Sequence, residues 1–317
     1  GGGRLMTSER DYLWTCEGSV DEDIAEIEAA LGAARHRGDL PAPRSRAPRS
    51  RVLVVAACAL AIALGWRFWP APSWMPVTTL AGSPMIDGTA VSGKMRLREG
   101  QVLTTDASSR AKVAVGDIGA VDVEPGTDLR LVETGREHRL AMTRGEISAL
   151  ITAPPRLFFV ETPNAVAVDL GCAYTLNIAD DGVGLLEVTA GMVALEWQGR
   201  SVEVPAGARC AIRPGVGPGA PWLISASEML ASELERLETG RADDATLPAL
   251  LASARKRDAI TLWHLLASGP VDEGERGQVF DRLGALAPLP AQVTRDAVVA
   301  REARALEALR RVIPSVW

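Results

Sequence analysis

The side chains able to do chemistry are few and scattered. Three histidines (His36, His138, His264) and four cysteines (Cys16, Cys58, Cys172, Cys210) are spread over 317 residues. Cys16 and His36 are twenty residues apart with no further Cys or His beside them, and a closed zinc site takes four donors. Asp180-Asp181 and Asp243-Asp244 fall in turn-forming sequence, where Asp satisfies backbone hydrogen bonds, and neither has the spaced oxygen ligands of a calcium loop. No G-x-S-x-G, H-E-x-x-H, C-x-x-C or Walker loop occurs. Gly215-Val-Gly-Pro-Gly is glycine-rich, but Pro218 interrupts it and it reads as a linker. The expectation is a chain with no catalytic residue, no metal and no cofactor, and therefore not an enzyme.

The elements that would position any site begin with one apolar stretch. Residues 52–69 read VLVVAACALAIALGWRFW. Eighteen residues at the helical rise span about 27 Å, close to a bilayer core. Trp66, Phe68 and Trp69 suit an interfacial anchor and Arg67 can snorkel. Arg44, Arg46, Arg49 and Arg51 precede the stretch, whereas after Arg67 the next cation is Lys94. The positive-inside rule then puts the N-terminus in the cytoplasm and the bulk of the chain beyond a bacterial inner membrane, in the periplasm. Before the span, residues 1–40 are a short cytoplasmic segment (with Met6 a possible start), and 41–51 are a Pro/Arg linker. Within 17–37 the spacing predicts one helix with an apolar stripe of Ile24, Ile27, Leu31 and Ala34. A lone helix of this size cannot bury its own stripe, so either a partner covers it or it remains a solvated tail.

From 77 to 214 turn signals recur every eight to twelve residues and apolar residues alternate between them. Val113/Val115, Val121/Val123, Leu129/Leu131, Leu140/Met142 and Val202/Val204 each mark one face of a short strand. The run 166–178 alternates longest, with Val, Val, Leu, Cys, Tyr, Leu and Ile at even positions. Many short strands at this rhythm predict a sandwich or stacked β-roll. Beyond 225 the pattern turns helical, in the segments SASEMLASELERLE, ATLPALLASARKRDAITLWHLLAS, EGERGQVFDRLGAL and TRDAVVAREARALEALRRV. Ser227 and Thr294 are expected helix starts, and Trp263 and His264 are expected packing residues. The fold class expected is thus an α+β multi-domain membrane protein: one transmembrane helix, an all-β domain at 77–214, and an α-helical domain at 225–317.

The composition agrees with a packed protein: 47% of residues are hydrophobic, 23% are charged and the net charge is −6. Cations are 31 Arg and 3 Lys, and no folded segment is basic, which argues against nucleic acid as a partner.

Within the β region, Gly100-Gln-Val-Leu-Thr-Thr, Val123-Glu-Pro-Gly-Thr-Asp-Leu, Leu140-Ala-Met-Thr-Arg-Gly-Glu-Ile, Val160-Glu-Thr-Pro, Val168-Asp-Leu-Gly, Glu187-Val-Thr-Ala-Gly-Met-Val and Val204-Pro-Ala-Gly-Ala follow one another in order. In that order and spacing, about residues 95–214 resemble the FecR domain. The resemblance implies a single-pass inner-membrane regulator of a sigma factor with a β-rich periplasmic domain. The expected partners are a cytoplasmic sigma factor at the N-terminal segment, an envelope protein at the periplasmic domain, and membrane lipid. Two features depart from the family: Cys172 stands where Thr is usual, and the cytoplasmic segment has only Trp14 where the family carries a tryptophan-containing anti-sigma region. The C-terminal helices loosely resemble HEAT-like hairpins. The alternative reading is a scaffold or ligand-binding module anchored in the same membrane, with no signalling role.

Cys172 shares parity with Val166, Val168, Leu170 and Tyr174, and Cys210 with Ala208 and Ile212, so both are expected to point inward. In an exported domain, where disulfides persist, a Cys172–Cys210 bridge is expected, closing a loop of about 38 residues. The alternative is two small core side chains that never meet.

Overall fold

The computed structural model describes residues 22–32, 73–311 and 313. The chain divides into two units, residues 1–69 and 70–317. In the first, helix α1 (Glu22–Gly32) forms inside the expected 17–37. The stretch 52–69 and the cluster Arg44, Arg46, Arg49 and Arg51 lie outside the described residues. Among those described, no helix is long and apolar enough to cross a membrane.

The second unit opens with two β-sheets. In sheet A the order is β4 (Lys94–Arg98), β1 (Trp74–Ala81), β6 (Arg110–Val115), β7 (Gly119–Val123), the second half of β9 (His138–Ile151), β12 (Ala173–Ile178), β13 (Gly184–Ala190) and β16 (Ala208–Arg213). Two short strands, β17 (Gly217–Pro218) and β18 (Trp222–Leu223), close its far edge. Sheet B runs β3 (Thr89–Ala90), β2 (Met85–Ile86), β5 (Val102–Thr104), β8 (Asp128–Glu133), the first half of β9, β10 (Phe158–Thr162), β11 (Ala165–Asp169), β14 (Met192–Trp197) and β15 (Arg200–Pro205). All of these neighbours are antiparallel except β9 and β10. Alternate residues from both sheets, such as Val113, Val121, Ile147, Leu176 and Leu186 from one and Leu103, Leu129, Leu140, Val193 and Leu195 from the other, fill one shared core. The expected sandwich or roll is what forms, and each of the five alternating pairs named from the sequence faces that core.

Strand β9 belongs to both sheets because it bends at Arg144-Gly145. Arg144 pairs with Asp128 in sheet B, and Gly145 with Ile178 in sheet A. Gly145 has φ +96°, and a Cβ there would collide with Thr127, so only glycine serves. Thr127 fastens the corner: its Oγ1 accepts from Glu146 N at 2.9 Å and donates to Glu146 O at 3.1 Å.

The pairing reveals an internal repeat. β5–β8, β6–β7, β7–β9 and β8–β9 in the first copy recur as β11–β14, β12–β13, β13–β16 and β14–β15 in the second. The last strand of the first copy runs unbroken through Gly145. Its counterpart is cut into β15 and β16 at Ala206-Gly207, where Gly207 has φ +77°.

The longest alternating run, 166–178, is not one strand. Gly171, at φ +91°, breaks it, and β11 joins sheet B while β12 joins sheet A. The break also exchanges the faces. In β11 the odd residues Ala165 and Ala167 enter the main core, and Val168 packs with Phe159 and Ala194 in a separate cluster. In β12 the even residues Tyr174, Leu176 and Ile178 enter the main core.

Among the described residues six α-helices follow: α2 (Glu228–Glu238), α3 (Thr246–Ser253), α4 (Ala259–Ser268), α5 (Glu273–Leu286), α6 (Arg295–Val299) and α7 (Ala303–Arg310). Ser227 and Thr294 cap α2 and α6, accepting from Leu230 N and Ala297 N as expected. Two expected helices are each broken in two, one around Arg255–Asp258 and one at Ala300–Glu302. The second break has a visible cause. Arg301, at φ +58°, turns its guanidinium onto Leu266 O and Gly269 O at the C-terminus of α4, where a cation meets unpaired carbonyls. The helices range from 5 to 14 residues, so they do not repeat as equal hairpins.

Candidate functional site

The helices are joined to the β-sheets along a seam, where His264 meets Glu203 and Arg310. Helix α4 presents Trp263 and His264 to strand β15. Arg310 of α7 reaches across to an ion pair with Glu203 of β15, and its guanidinium also lies 5.7 Å from the Trp263 ring. Trp263 Nε1 donates to Leu306 O at 3.0 Å, and its ring meets His264 edge-on at a centroid distance of 4.7 Å. Between them is an open cavity of about 300 Å³, lined by Met192, Glu203, Ile260, Trp263, His264 and Arg310 among others. His264 is buried, and burial first, then the Arg310 charge, push its pKa down to about 3. The ring is therefore neutral at physiological pH, and the guanidinium is already engaged by Glu203. This arrangement suits packing and recognition rather than proton transfer.

A second contact fixes the other end of the seam. Arg213 of β16 pairs with Glu238 of α2 at 2.5 Å, with side chains only 14% and 5% exposed. Glu238 also accepts from Ala220 N at 2.5 Å. Burial raises the Glu238 carboxyl above its usual range, outweighing the Arg213 charge and the hydrogen bonds that act the other way. Nearby, Thr261 donates to Pro221 O at 2.8 Å.

The expected partner-binding stripe is exposed. On α1, Ile27 is 58% and Leu31 61% open to solvent, an unusual placement for two large aliphatic side chains on one helix face. Ile24 stands earlier on the same helix, its side chain outside what the structure describes.

With this geometry in hand, residues 101–194 match the family model described as FecR protein. That stretch is a FecR domain. The match covers β5 through the first half of β14, which is most of the two repeat copies; β15, β16 and all six C-terminal helices lie outside it. The seam residues Glu203, Arg213, Glu238 and His264 thus lie beyond the matched residues. Among solved structures, a candidate anti-sigma factor from Parabacteroides distasonis ATCC 8503 (1.65 Å) is 18% identical, with a TM-score of 0.33 over 37% of this chain and 56% of its own. A second such structure from that organism (2.50 Å) is 15% identical, with a TM-score of 0.34 over 47% and 73%. The chain therefore spans little more than half the length of the first. No curated protein matches it.

Within the β-sheets, the expected Cys172–Cys210 bridge does not form, and both thiols are free. Their positions in the ladder explain why. Cys210 pairs across β13 with Leu186, which pairs with Leu176, so Cys210 is two strands and four residues from Cys172. At the usual strand spacing and rise this is about 16 Å, far beyond the 7 Å or so that a disulfide spans. Parity predicted that both point inward, which they do; only the sheet determines that they point to different parts of the core. Each has its own acceptor: Cys172 Sγ donates to the Asp169 carboxylate, and Cys210 Sγ to Gly219 O at 3.3 Å. Burial pushes both thiols well above their ordinary pKa. Neither is expected to react with a thiol reagent in the native protein, and both should titrate in the unfolded protein without prior reduction. Two thiols recovered only after reduction would restore the bridge.

Asp169 falls at an odd position of the 166–178 alternation, between the apolar even residues, yet it is buried beside Cys172 and Tyr174. Burial raises its carboxyl, and the thiol and two backbone N–H groups oppose that shift. The signal that could have found it is Gly171: a glycine two residues after an Asp marks a turn in which the Asp accepts from the backbone, here from Gly171 N at 2.7 Å.

Proposed function

We propose that the chain is a membrane-anchored envelope regulator of FecR type, with residues 52–69 as its single span and the second unit on the periplasmic side. In this reading a cue at the periplasmic body is relayed through the span to α1, which holds a cytoplasmic sigma factor through Ile27 and Leu31. The observation that carries it is the conjunction of a FecR domain with two aliphatic side chains left open on one face of a separate N-terminal helix. The four arginines before residue 52 support the orientation.

The test is capture and regulation together. Residues 6–51 used as bait should retain a sigma subunit from the host. Ile27→Asp combined with Leu31→Asp should abolish both capture and regulation by the full chain, because burying a carboxylate in an apolar groove costs several kcal/mol. Insertion of the chain should be unchanged. Regulation that survives the double substitution would exclude α1 as the sigma-binding element.

A further inference from the structure

We infer that the outward face of strands β4 and β1 is a docking surface for anionic phospholipid headgroups, holding the β-sheets against the bilayer from which the chain emerges. The inference rests on the proposed span at 52–69.

Among the described residues strand β4 is the edge of sheet A, paired with β1 alone. Its alternation sends Met95 and Leu97 inward and places Lys94, Arg96 and Arg98 on the outer face, all three exposed. Among the described residues none of the three is within ion-pair distance of a carboxylate, in contrast to Arg110 and Lys112 on β6, which pair with Glu124 and Asp122. The neighbouring Glu99 is turned away, accepting from Thr134 N at 2.9 Å. Three unpaired cations on a chain of net charge −6 form a local departure from its acidic balance.

Trp74 completes the surface. It opens β1 directly opposite Arg98, and the Arg96 guanidinium lies 4.4 Å from its ring centroid. Tryptophan beside unpaired cations is the pairing that headgroup regions favour, with an amphipathic ring at the interface and charge toward phosphate. Covalent geometry supplies the location. Trp74 is five residues after Trp69, so the chain alone keeps it within about 18 Å of the end of the apolar stretch. That range is comparable to two Debye lengths at physiological salt, and attraction to an anionic surface is felt within one. Basic residues on an edge strand also discourage edge-to-edge pairing between sheets. Here, however, the three side chains stand on the face of the sheet, which suits contact with a plane.

The full chain provides its own probes, because it has only three lysines: Lys94, Lys112 and Lys256. The chain is reconstituted into vesicles of phosphatidylcholine alone or of phosphatidylcholine and phosphatidylglycerol in equal parts. Amine acetylation is then read residue by residue by mass spectrometry. Lys94 should be protected at least about fivefold in the anionic vesicles. The protection should vanish at 1 M salt, where the Debye length is about 3 Å. Lys256, exposed on the helical side, should react equally in both. Arg96→Gln with Arg98→Gln keeps Lys94 as reporter and should remove its protection, while unchanged Lys112 and Lys256 reactivity shows that the variant is folded. Equal Lys94 reactivity in the two vesicles, or equal protection of Lys256, overturns the inference. A chain that fails to float with neutral vesicles refutes the anchor instead. The docking surface then stands or falls on salt-sensitive flotation with anionic vesicles, which the double substitution should weaken about twentyfold.

Discussion

Acidification from pH 7 to 4.5 is expected to remove about 3 kcal/mol from the stability of the second unit through a single side chain, His264. Its pKa is about 3 in the fold, lowered chiefly by burial and then by Arg310, while the Glu203 main chain acts in the opposite sense. In the unfolded chain the imidazole returns to about 6.5. A histidine depressed in the fold contributes its full stability above the unfolded pKa. It loses that contribution as pH falls from about 6.5 toward 3, by about 1.4 kcal/mol per unit and about 5 kcal/mol in all. The Asp169 and Glu238 carboxyls, raised in the fold, oppose this trend, since raised acids bind protons first in the native state. The informative measurement is therefore the difference between the native chain and His264→Leu in denaturant unfolding across this range. The variant should lose the His264 slope and become relatively more stable with each unit of acid. Parallel curves for the two proteins would show that His264 is not held neutral by the seam.

The second large effect is expected at Arg213 and Glu238. Arg213→Met leaves a carboxylate 5% exposed with Ala220 N as its remaining donor, and breaking a buried pair from one side costs about 3–5 kcal/mol. For a body of this size that corresponds to a fall of roughly 10 °C in Tm. The deficit should shrink in acid and grow as pH rises, because the unpaired carboxyl titrates still higher and its ionised form is what the fold penalises. Arg213→Met with Glu238→Gln should recover most of the loss, since Gln keeps an oxygen for Ala220 N and no charge remains buried. A double variant as unstable as the single one would mean that Arg213 acts through packing of its aliphatic stem instead.

How much of this was legible beforehand divides along one physical line. Alternation with period two is written into consecutive residues, so the faces of β6, β7, β8, β9 and β15 were readable from Val, Leu and Met pairs. Helix capping is also local, and Ser227 and Thr294 were readable for that reason. The apolar run at 52–69, its arginine flank and the stripe on α1 likewise depend only on neighbours in the chain. The landmarks between Gln101 and Val193 were enough to indicate the FecR domain that the family match shows there, and Val204–Ala208 lie beyond it.

What the sequence could not supply is everything that depends on which strand lies beside which. Alternation across 166–178 continues through Gly171, but the left-handed turn there moves the chain to the other sheet and exchanges its faces. Parity therefore placed Cys172 and Cys210 in the core correctly and could not give their separation, which the β12–β13–β16 register sets. The breaks in the C-terminal helices follow the same rule, one of them decided by Arg301 reaching carbonyls more than thirty residues away. His264 and Arg310 belong to helices and Glu203 to a strand, and the pair and the buried ring exist only because the helices pack on that strand. Periodicity reports which way a side chain points relative to its own element; the partner it meets is determined by long-range packing, which no local pattern encodes.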